Sequence, residues 1–165
     1  MRHIGGQVRN LDAMKTILAP IDFSDGSEAV IDEAVALARA GNARVVLLTV
    51  IEPPVITSEY TPMLDNLPEI TAAGEKAAAK NLARIADRLS AKSIPSETKQ
   101  LNGSPVANIV EQAKKLSADY IVMGSHGHSA VYDLLVGSTT HGVLMRAKCP
   151  VVIVPSKKPR AKAKK

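Results

Sequence analysis

Aromatic residues are scarce in this chain: of its 165 residues three are Tyr, one is Phe and none is Trp. The core must therefore be built from aliphatic side chains, and few rings are available to stack on single-stranded nucleic acid. The single cysteine, Cys149, excludes an intramolecular disulfide and favours a reducing, cytoplasmic location. No run approaches the roughly 18 apolar residues of a transmembrane helix, and the N-terminal residues lack the apolar stretch of a signal peptide.

An excess of positive charge is confined to one end of the chain. Residues 157–165 hold six of the 21 Lys and Arg residues and no acid, which leaves 15 basic against 16 acidic side chains in the remainder. We predict that residues 156–165 form a disordered basic tail that can contact a polyanion, such as nucleic acid, anionic lipid or an acidic partner. Residues 1–13 show no periodicity and are predicted to be an N-terminal extension.

Short apolar runs alternate with amphipathic segments along the rest of the chain. A proline-rich segment, 52–70, interrupts this pattern and is predicted to be a long loop. The alternation predicts an α/β fold, an open parallel sheet of right-handed βαβ units that binds ligands beyond the carboxyl ends of its strands. The predicted strands cover residues 16–22, 44–50, 96–101, 119–124 and 149–155. The predicted helices run from a capping box at Asp25 to Gly41, over 71–92, from a cap at Ser104 to Leu116, and over 138–147.

Three glycines lie at the end of the fourth predicted strand and after it, at Gly124, Gly127 and Gly137. Glycine allows backbone N–H groups to approach an anion closely, and successive N–H groups can form an anion-binding concavity. Gly137 and Ser138 stand where a helix is predicted to begin, a position that favours phosphate, and Thr139 and Thr140 add hydroxyl donors. An ordinary glycine-rich turn with a serine cap accounts for the same spacing, so the spacing leaves both interpretations open.

The glycine spacing resembles that of the universal stress protein family, whose nucleotide-binding members carry the motif G-x-x-G-x9-G-[ST]. Neither a Walker A loop nor G-x-G-x-x-G occurs. The resemblance extends over residues 14–155, which it implies to be one universal stress protein domain. The further matching segments are 17–24 (ILAPIDFS), 103–105 (GSP), 123–125 (MGS) and 149–151 (CPV).

The resemblance implies a Rossmann-like fold, similar to adenine nucleotide alpha hydrolases, with five parallel strands in the order 3-2-1-4-5 and helices on both faces. It also implies a site for ATP, ADP or AMP, with Mg²⁺ carried by the phosphates. Asp22 would lie near the adenine and ribose, and Val50 would contact the adenine. The implied nucleotide-binding residues are Pro20, Ile21, Asp22, Val50, Met123, Gly124, His126, Gly127, Gly137, Ser138 and Thr139.

His126 is a departure from the nucleotide-binding relatives, which often carry Arg at this position. Histidine is largely uncharged at neutral pH, so we expect phosphate affinity to be weaker or to depend on pH. The H-x-H spacing of His126 and His128 has no second ligand pair to support it, so no metal site formed by protein ligands alone is predicted.

The function predicted from these features is a regulatory or stress-response role with ATP or another adenine nucleotide bound. Catalysis is expected to be absent, or at most slow ATP hydrolysis, because no general base is evident. One alternative is a nucleotide-free dimeric interaction module. Another is an enzyme of the ATP pyrophosphatase type, although residues 24–29 lack part of the required S-G-G-x-D-S loop. Val151–Val154 is apolar on both faces and, in the implied strand order, lies at the sheet edge, which predicts a homodimer through this strand.

Overall fold

The computed structural model describes residues 14–53, 67–126 and 136–155. The predicted N-terminal extension, the basic tail and Gly127 lie outside these ranges. The elements are β1 (Lys15–Pro20), α1 (Ser27–Gly41), β2 (Ala43–Ile51), α2 (Leu67–Ala91), β3 (Ser96–Asn102), α3 (Pro105–Lys115), β4 (Tyr120–Gly124), α4 (Ser138–Leu144) and β5 (Val151–Val154).

The five strands form one parallel sheet in the order β3-β2-β1-β4-β5, which confirms the predicted fold class. The sequence order reverses on either side of β1, whose two neighbours are β2 and β4. In an open α/β sheet this reversal leaves a crevice at the carboxyl ends of the central strands. The segments that follow β1, β2 and β4 are therefore expected to border this crevice.

Both faces of the sheet are covered, as the continuous apolar runs predict. Alternate strand residues point to opposite faces, so Ile17 and Ala19 pack in the core on the side of α1 and α2, whereas Leu18 packs on the side of α3 and α4. The centre of β2, Val45–Leu48, has no exposed surface. The aliphatic core predicted from the lack of aromatic residues is thus divided by the sheet into two layers.

The ends of several elements differ from the prediction. The capping box at Asp25 is wrong: α1 begins at Ser27, its N-cap is Gly26 and no side chain caps it. Instead, the Ser27 N–H donates to the Ser24 carbonyl at 2.9 Å. The left-handed residue at the end of α1 is Asn42, with φ of 48°, so Gly41 is the last helical residue rather than the terminator.

The second helix begins at Leu67 and not at residue 71, so part of the predicted loop is helical. Pro68 lies in its first turn, where a missing N–H costs nothing because that donor has no partner within the helix. At the other end of the chain, α4 stops at Leu144 and β5 contains only Val151–Val154, both shorter than predicted. The Pro150 carbonyl accepts from Ile121 N at 3.0 Å just before β5 begins.

An ion pair joins the first turn of α1 to α2. The Arg88 guanidinium donates to both carboxylate oxygens of Glu28, at 3.0 and 2.8 Å. This hydrogen bond lowers the pKa of Glu28 and raises that of Arg88. Both groups are well exposed, so the pair contributes at most about 1 kcal/mol and adds only a weak link between α1 and α2.

Candidate functional site

A cavity of about 480 Å³ opens at the carboxyl ends of β1, β2 and β4. It lies where the reversal of strand order predicts a ligand site. The described residues that line it are Pro20, Ile21, Asp22, Phe23, Ser24, Gly26, Ser27, Val30, Leu48, Thr49, Val50, Ile51, Glu52, Ala78, Pro105, Ile109, Met123, Gly124, His126, Gly137, Ser138, Thr139 and Thr140.

Asp22 organises the loop between β1 and α1. Its Oδ1 accepts from the Ser24 N–H at 3.1 Å, from the Ser24 hydroxyl at 2.6 Å and from the Ser27 hydroxyl at 3.2 Å. The same loop carries Phe23 in the left-handed region, with φ of 60°, a conformation that is rare for a bulky residue. The carboxylate thus holds a strained turn in place, and its position in the cavity wall is a consequence of that turn.

The exit of β1 is also tied to β2. Ile21 donates its N–H to the Leu48 carbonyl at 2.9 Å, and the buried Thr49 hydroxyl donates to the Ile21 carbonyl at 3.1 Å. These bonds continue the pairing of the two strands past the end of β1. Val50 lies on β2 and is half-buried, and Glu52, which follows directly after this strand, is exposed; both line the cavity.

The segments around β4 and α4 are joined by short backbone and hydroxyl bonds. The buried Thr140 hydroxyl donates to the Gly124 carbonyl at 2.8 Å, and the Gly137 N–H donates to the Ser125 carbonyl at 2.8 Å. A side chain at Gly124 would be crowded, because a Cβ there would lie 3.1 Å from the His126 carbonyl oxygen. We expected the Thr140 hydroxyl to donate to a ligand, but in the structure it links α4 to β4.

His126 stands at the α4 end of the cavity. Its Nδ1 lies 3.1 Å from the Ser125 hydroxyl, and its backbone is within 3.5 Å of the position that a Cβ on Gly137 would occupy. Because α4 has only seven residues, its dipole offers little to an anion. Among the described residues at this end, the side-chain polar groups that line the cavity include the hydroxyls of Ser138 and Thr139 and the His126 imidazole.

The structure brings together the nucleotide-binding residues that the resemblance implied, apart from Gly127, which lies outside the described residues. They come from three separate stretches of sequence and line one cavity. Whether they hold a nucleotide stays a prediction. The lining residues that were not predicted are Phe23, Ser24, Gly26, Ser27, Val30, Leu48, Thr49, Ile51, Glu52, Ala78, Pro105 and Ile109. The serines could have been found from their place directly after β1, whereas Ala78 and Ile109 depend on how α2 and α3 pack.

The charge in the cavity wall is carried by Asp22 and Glu52, and the described lining contains no Lys or Arg. Over the described part of the chain, no group of three His, Cys, Asp or Glu side chains could hold a metal ion. Within the same residues, no helix has the length and apolar character needed to cross a membrane.

Comparison with known proteins gives a consistent result. A family model described as "Universal stress protein family" matches residues 14–155. "Universal stress protein A homolog 1" of Coxiella burnetii is 36% identical over 144 residues, covering 85% of this chain and 95% of that protein. The solved structure of hypothetical protein MJ0577 superimposes with a TM-score of 0.75 at 28% identity, covering 88% of this chain and 98% of the other. A universal stress protein solved in complex with cAMP gives a TM-score of 0.60 at 29% identity, over 87% of this chain and 98% of the other.

Proposed function

The chain belongs to the universal stress protein family, and on that premise we propose that it binds an adenine nucleotide in the cavity beside β1 and serves a regulatory, stress-response role. The proposal includes ATP, ADP and AMP as ligands, with Mg²⁺ accompanying the more highly phosphorylated forms, and a cytoplasmic location. The cAMP-bound relative supports the class of ligand.

One observation carries the proposal. Residues from the ends of β1, β2 and β4 and from the start of α4, far apart in sequence, line a single cavity large enough for a nucleotide. The wall near β2 and α3 is apolar, with Val50 and Ile109, and suits a planar base. The wall near α4 carries Ser138 and Thr139, whose hydroxyls suit phosphate oxygens.

The same cavity gives little support for catalysis. A general base must lie within hydrogen-bonding reach of the group that it deprotonates. Of the two carboxylates in the described lining, Asp22 already accepts from three donors of its own loop, and Glu52 is exposed at the rim. We therefore propose a binding protein, with ATP hydrolysis absent or slow.

The test is to identify what the protein binds. Small molecules released from the purified full chain on denaturation are analysed by mass spectrometry, and the emptied protein is titrated by calorimetry with adenosine, AMP, ATP and the matching guanosine nucleotides. We expect an adenine nucleotide in the released fraction and saturable binding of the adenine series. Absence of binding by every adenine compound would refute the proposal.

We also propose a homodimer formed through β5. This strand is at the sheet edge, and its four residues are half-buried: Val152 and Val154 pack towards α1, whereas Val151 and Ile153 pack towards α3 and α4. An unpaired apolar edge strand favours association, and pairing about a two-fold axis satisfies two copies at once. Pro150 and Pro155 limit the pairing to the residues between them.

Replacing Val152 with Lys is expected to weaken the dimer at least about tenfold, because a charge must then be buried at the interface. Ile153→Lys tests the opposite face of the strand. Thr98→Lys, on the other edge strand β3, is the matched control and should leave the dimer unchanged. Light scattering reports the mass, and circular dichroism checks the fold. A parent protein that is monomeric at tens of micromolar would refute the dimer.

A further inference from the structure

The basic segment 157–165 follows the last strand almost directly. Six of its nine residues are Lys or Arg and none is acidic. β5 ends at Val154, and the described residues end at Pro155. All five strands are parallel, so the carboxyl end of β5 lies at the same edge of the sheet as the ends of β1, β2 and β4. The basic segment is therefore attached at the edge of the sheet that carries the cavity.

Two hydrogen bonds bring this attachment point close to the α4 end of the cavity. The Ser125 N–H donates to the Val154 carbonyl at 2.8 Å, and the Ser125 carbonyl accepts from the Gly137 N–H at 2.8 Å. Gly137 and Ser138 line the cavity. With the covalent length of one residue between the two bonds, the Val154 oxygen and the Gly137 nitrogen are about 9 Å apart or less.

The basic segment can span this gap. An extended chain advances about 3.3 to 3.6 Å per residue, so Lys157 and Lys158 are within reach of the Ser138 end of the cavity. A group held by so short a linker acts at an effective concentration in the millimolar range. An attraction too weak to matter between separate molecules at micromolar concentration then contributes to binding within one chain.

Charge complementarity selects the ligand's phosphates as the partner of this segment. Residues 116–145, which include all three glycines and the start of α4, contain no Lys or Arg. A phosphate bound there through N–H and hydroxyl groups keeps its negative charge unpaired by such side chains from that segment. A monophosphate carries about 1.5 to 2 negative charges near neutral pH, and a triphosphate carries roughly two more.

We propose that residues 157–165 act within their own chain on the phosphates of a nucleotide held in the cavity, and strengthen its binding in proportion to its negative charge. The proposal rests on the proposed adenine-nucleotide site and adds a second contribution to binding there, supplied by a segment outside the cavity wall. The polyanion that the basic segment contacts is then the protein's own ligand.

Coulomb's law sets the expected size of the effect. In a largely aqueous setting, one pair of opposite charges about 8 Å apart changes an affinity about twofold. Removing the three basic charges nearest to β5 should therefore weaken ATP binding about fivefold and AMP binding about twofold at low salt, and leave adenosine binding unchanged. Salt near 0.5 M screens charges over a few ångströms and should remove most of the difference.

The first experiment titrates the full chain by calorimetry with adenosine, AMP and ATP, in EDTA and low salt. The test variant combines Lys157→Gln, Lys158→Gln and Arg160→Gln. We expect its ATP affinity to fall about fivefold and its salt dependence to become shallower, with circular dichroism unchanged. ATP affinity equal to that of the parent would leave the basic segment to an external polyanion and would overturn the inference, while adenine-nucleotide binding stands.

The matched control removes the same number of charges at the opposite edge of the sheet. It combines Lys15→Gln, Lys114→Gln and Lys148→Gln, three exposed lysines at the start of β1, in the last turn of α3 and shortly before β5. Its ATP affinity should stay close to that of the parent. An equal loss in both variants would indicate an effect of net charge alone and overturn the inference. Failure of the parent to bind any of the three compounds would refute the proposed function, and the inference with it.

The second experiment detects the basic segment itself. Saturating ATP should slow tryptic cleavage after Arg160 in the full chain several-fold, AMP should slow it less, and adenosine should have no effect; the mass of the protein reports each cut. A free peptide of residues 156–165, digested under the same conditions, controls for an effect of ATP on the protease. Cleavage of the full chain at a rate independent of ATP would contradict a contact between the segment and the phosphates.

Discussion

Gly137→Val is expected to lower nucleotide affinity by roughly two orders of magnitude, the loss that follows when two charge-assisted hydrogen bonds are broken. A Cβ at Gly137 would lie 3.4 Å from the Ser125 carbonyl oxygen and 3.5 Å from the His126 Cα. These are ordinary contact distances for the Cβ itself, so the effect comes from the two γ-carbons of valine, which we expect to press on this segment or to enter the cavity beside Ser138. Either movement displaces the groups proposed to meet the phosphates.

The fold should survive this change. Gly137 has φ of −67° and ψ of 159°, an extended conformation that valine adopts readily. Calorimetric titration measures the affinity, and circular dichroism and thermal melting check the structure. Gly74→Val is the control, because Gly74 lies on α2 with nothing within 4 Å of its Cβ position. Undiminished affinity in a folded Gly137→Val variant would exclude Gly137 from the phosphate-binding wall.

Gly142→Val is expected to destabilise the protein by roughly 3 kcal/mol, the cost of overpacking a tight contact. Gly142 is buried where α4 meets α3, and a Cβ there would lie 2.8 Å from one γ-carbon of Val106 and 3.1 Å from the other. Val106 is β-branched and has few alternative rotamers. We therefore expect α4 and α3 to move apart to relieve part of this overlap.

A double-mutant cycle distinguishes this overlap from a general effect of valine in a helix. Val106→Ala removes both γ-carbons, so the combination Gly142→Val with Val106→Ala should recover a large part of the lost free energy of unfolding. Gly74→Val, made in open space on α2, should cost little, since valine has a somewhat higher helix propensity than glycine. Urea denaturation gives the free energies. Strict additivity of the two changes would show that the side chains do not interact.

The sequence predicts well those parts of the fold that depend on the spacing of apolar residues along the chain. β1 and β2 read as uninterrupted apolar runs because both faces of a central parallel strand are buried, and the structure places them at the centre of the sheet. The errors in the prediction lie at helix ends, because a single hydrogen bond can decide at which residue a helix begins or ends. Asp25 looked like a helix cap, but the carboxylate that organises the loop is Asp22, which accepts from both nearby serines.

The site was predictable only in part for a related reason. The glycine spacing indicates where the backbone passes close to other atoms, as at Gly124, whose Cβ position lies only 3.1 Å from the His126 carbonyl oxygen. It does not report which helices close the other wall. Ala78 and Ile109 line the cavity because α2 and α3 pack on opposite faces of the sheet, and that depends on contacts distant in sequence.

The hydrogen bond from the Ser125 N–H to the Val154 carbonyl, at 2.8 Å, makes the cavity wall and the edge strand direct neighbours. Ser125 also accepts from Gly137, so a single residue joins the α4 end of the cavity to the end of β5. If the proposed nucleotide site and the proposed β5 dimer both form, Ser125 connects them, and any coupling between the two must be reciprocal. If a nucleotide strengthens association through β5 by some factor, association must strengthen nucleotide binding by the same factor. Apparent nucleotide affinity would then rise with protein concentration, and the chain would sense its own abundance together with that of its ligand.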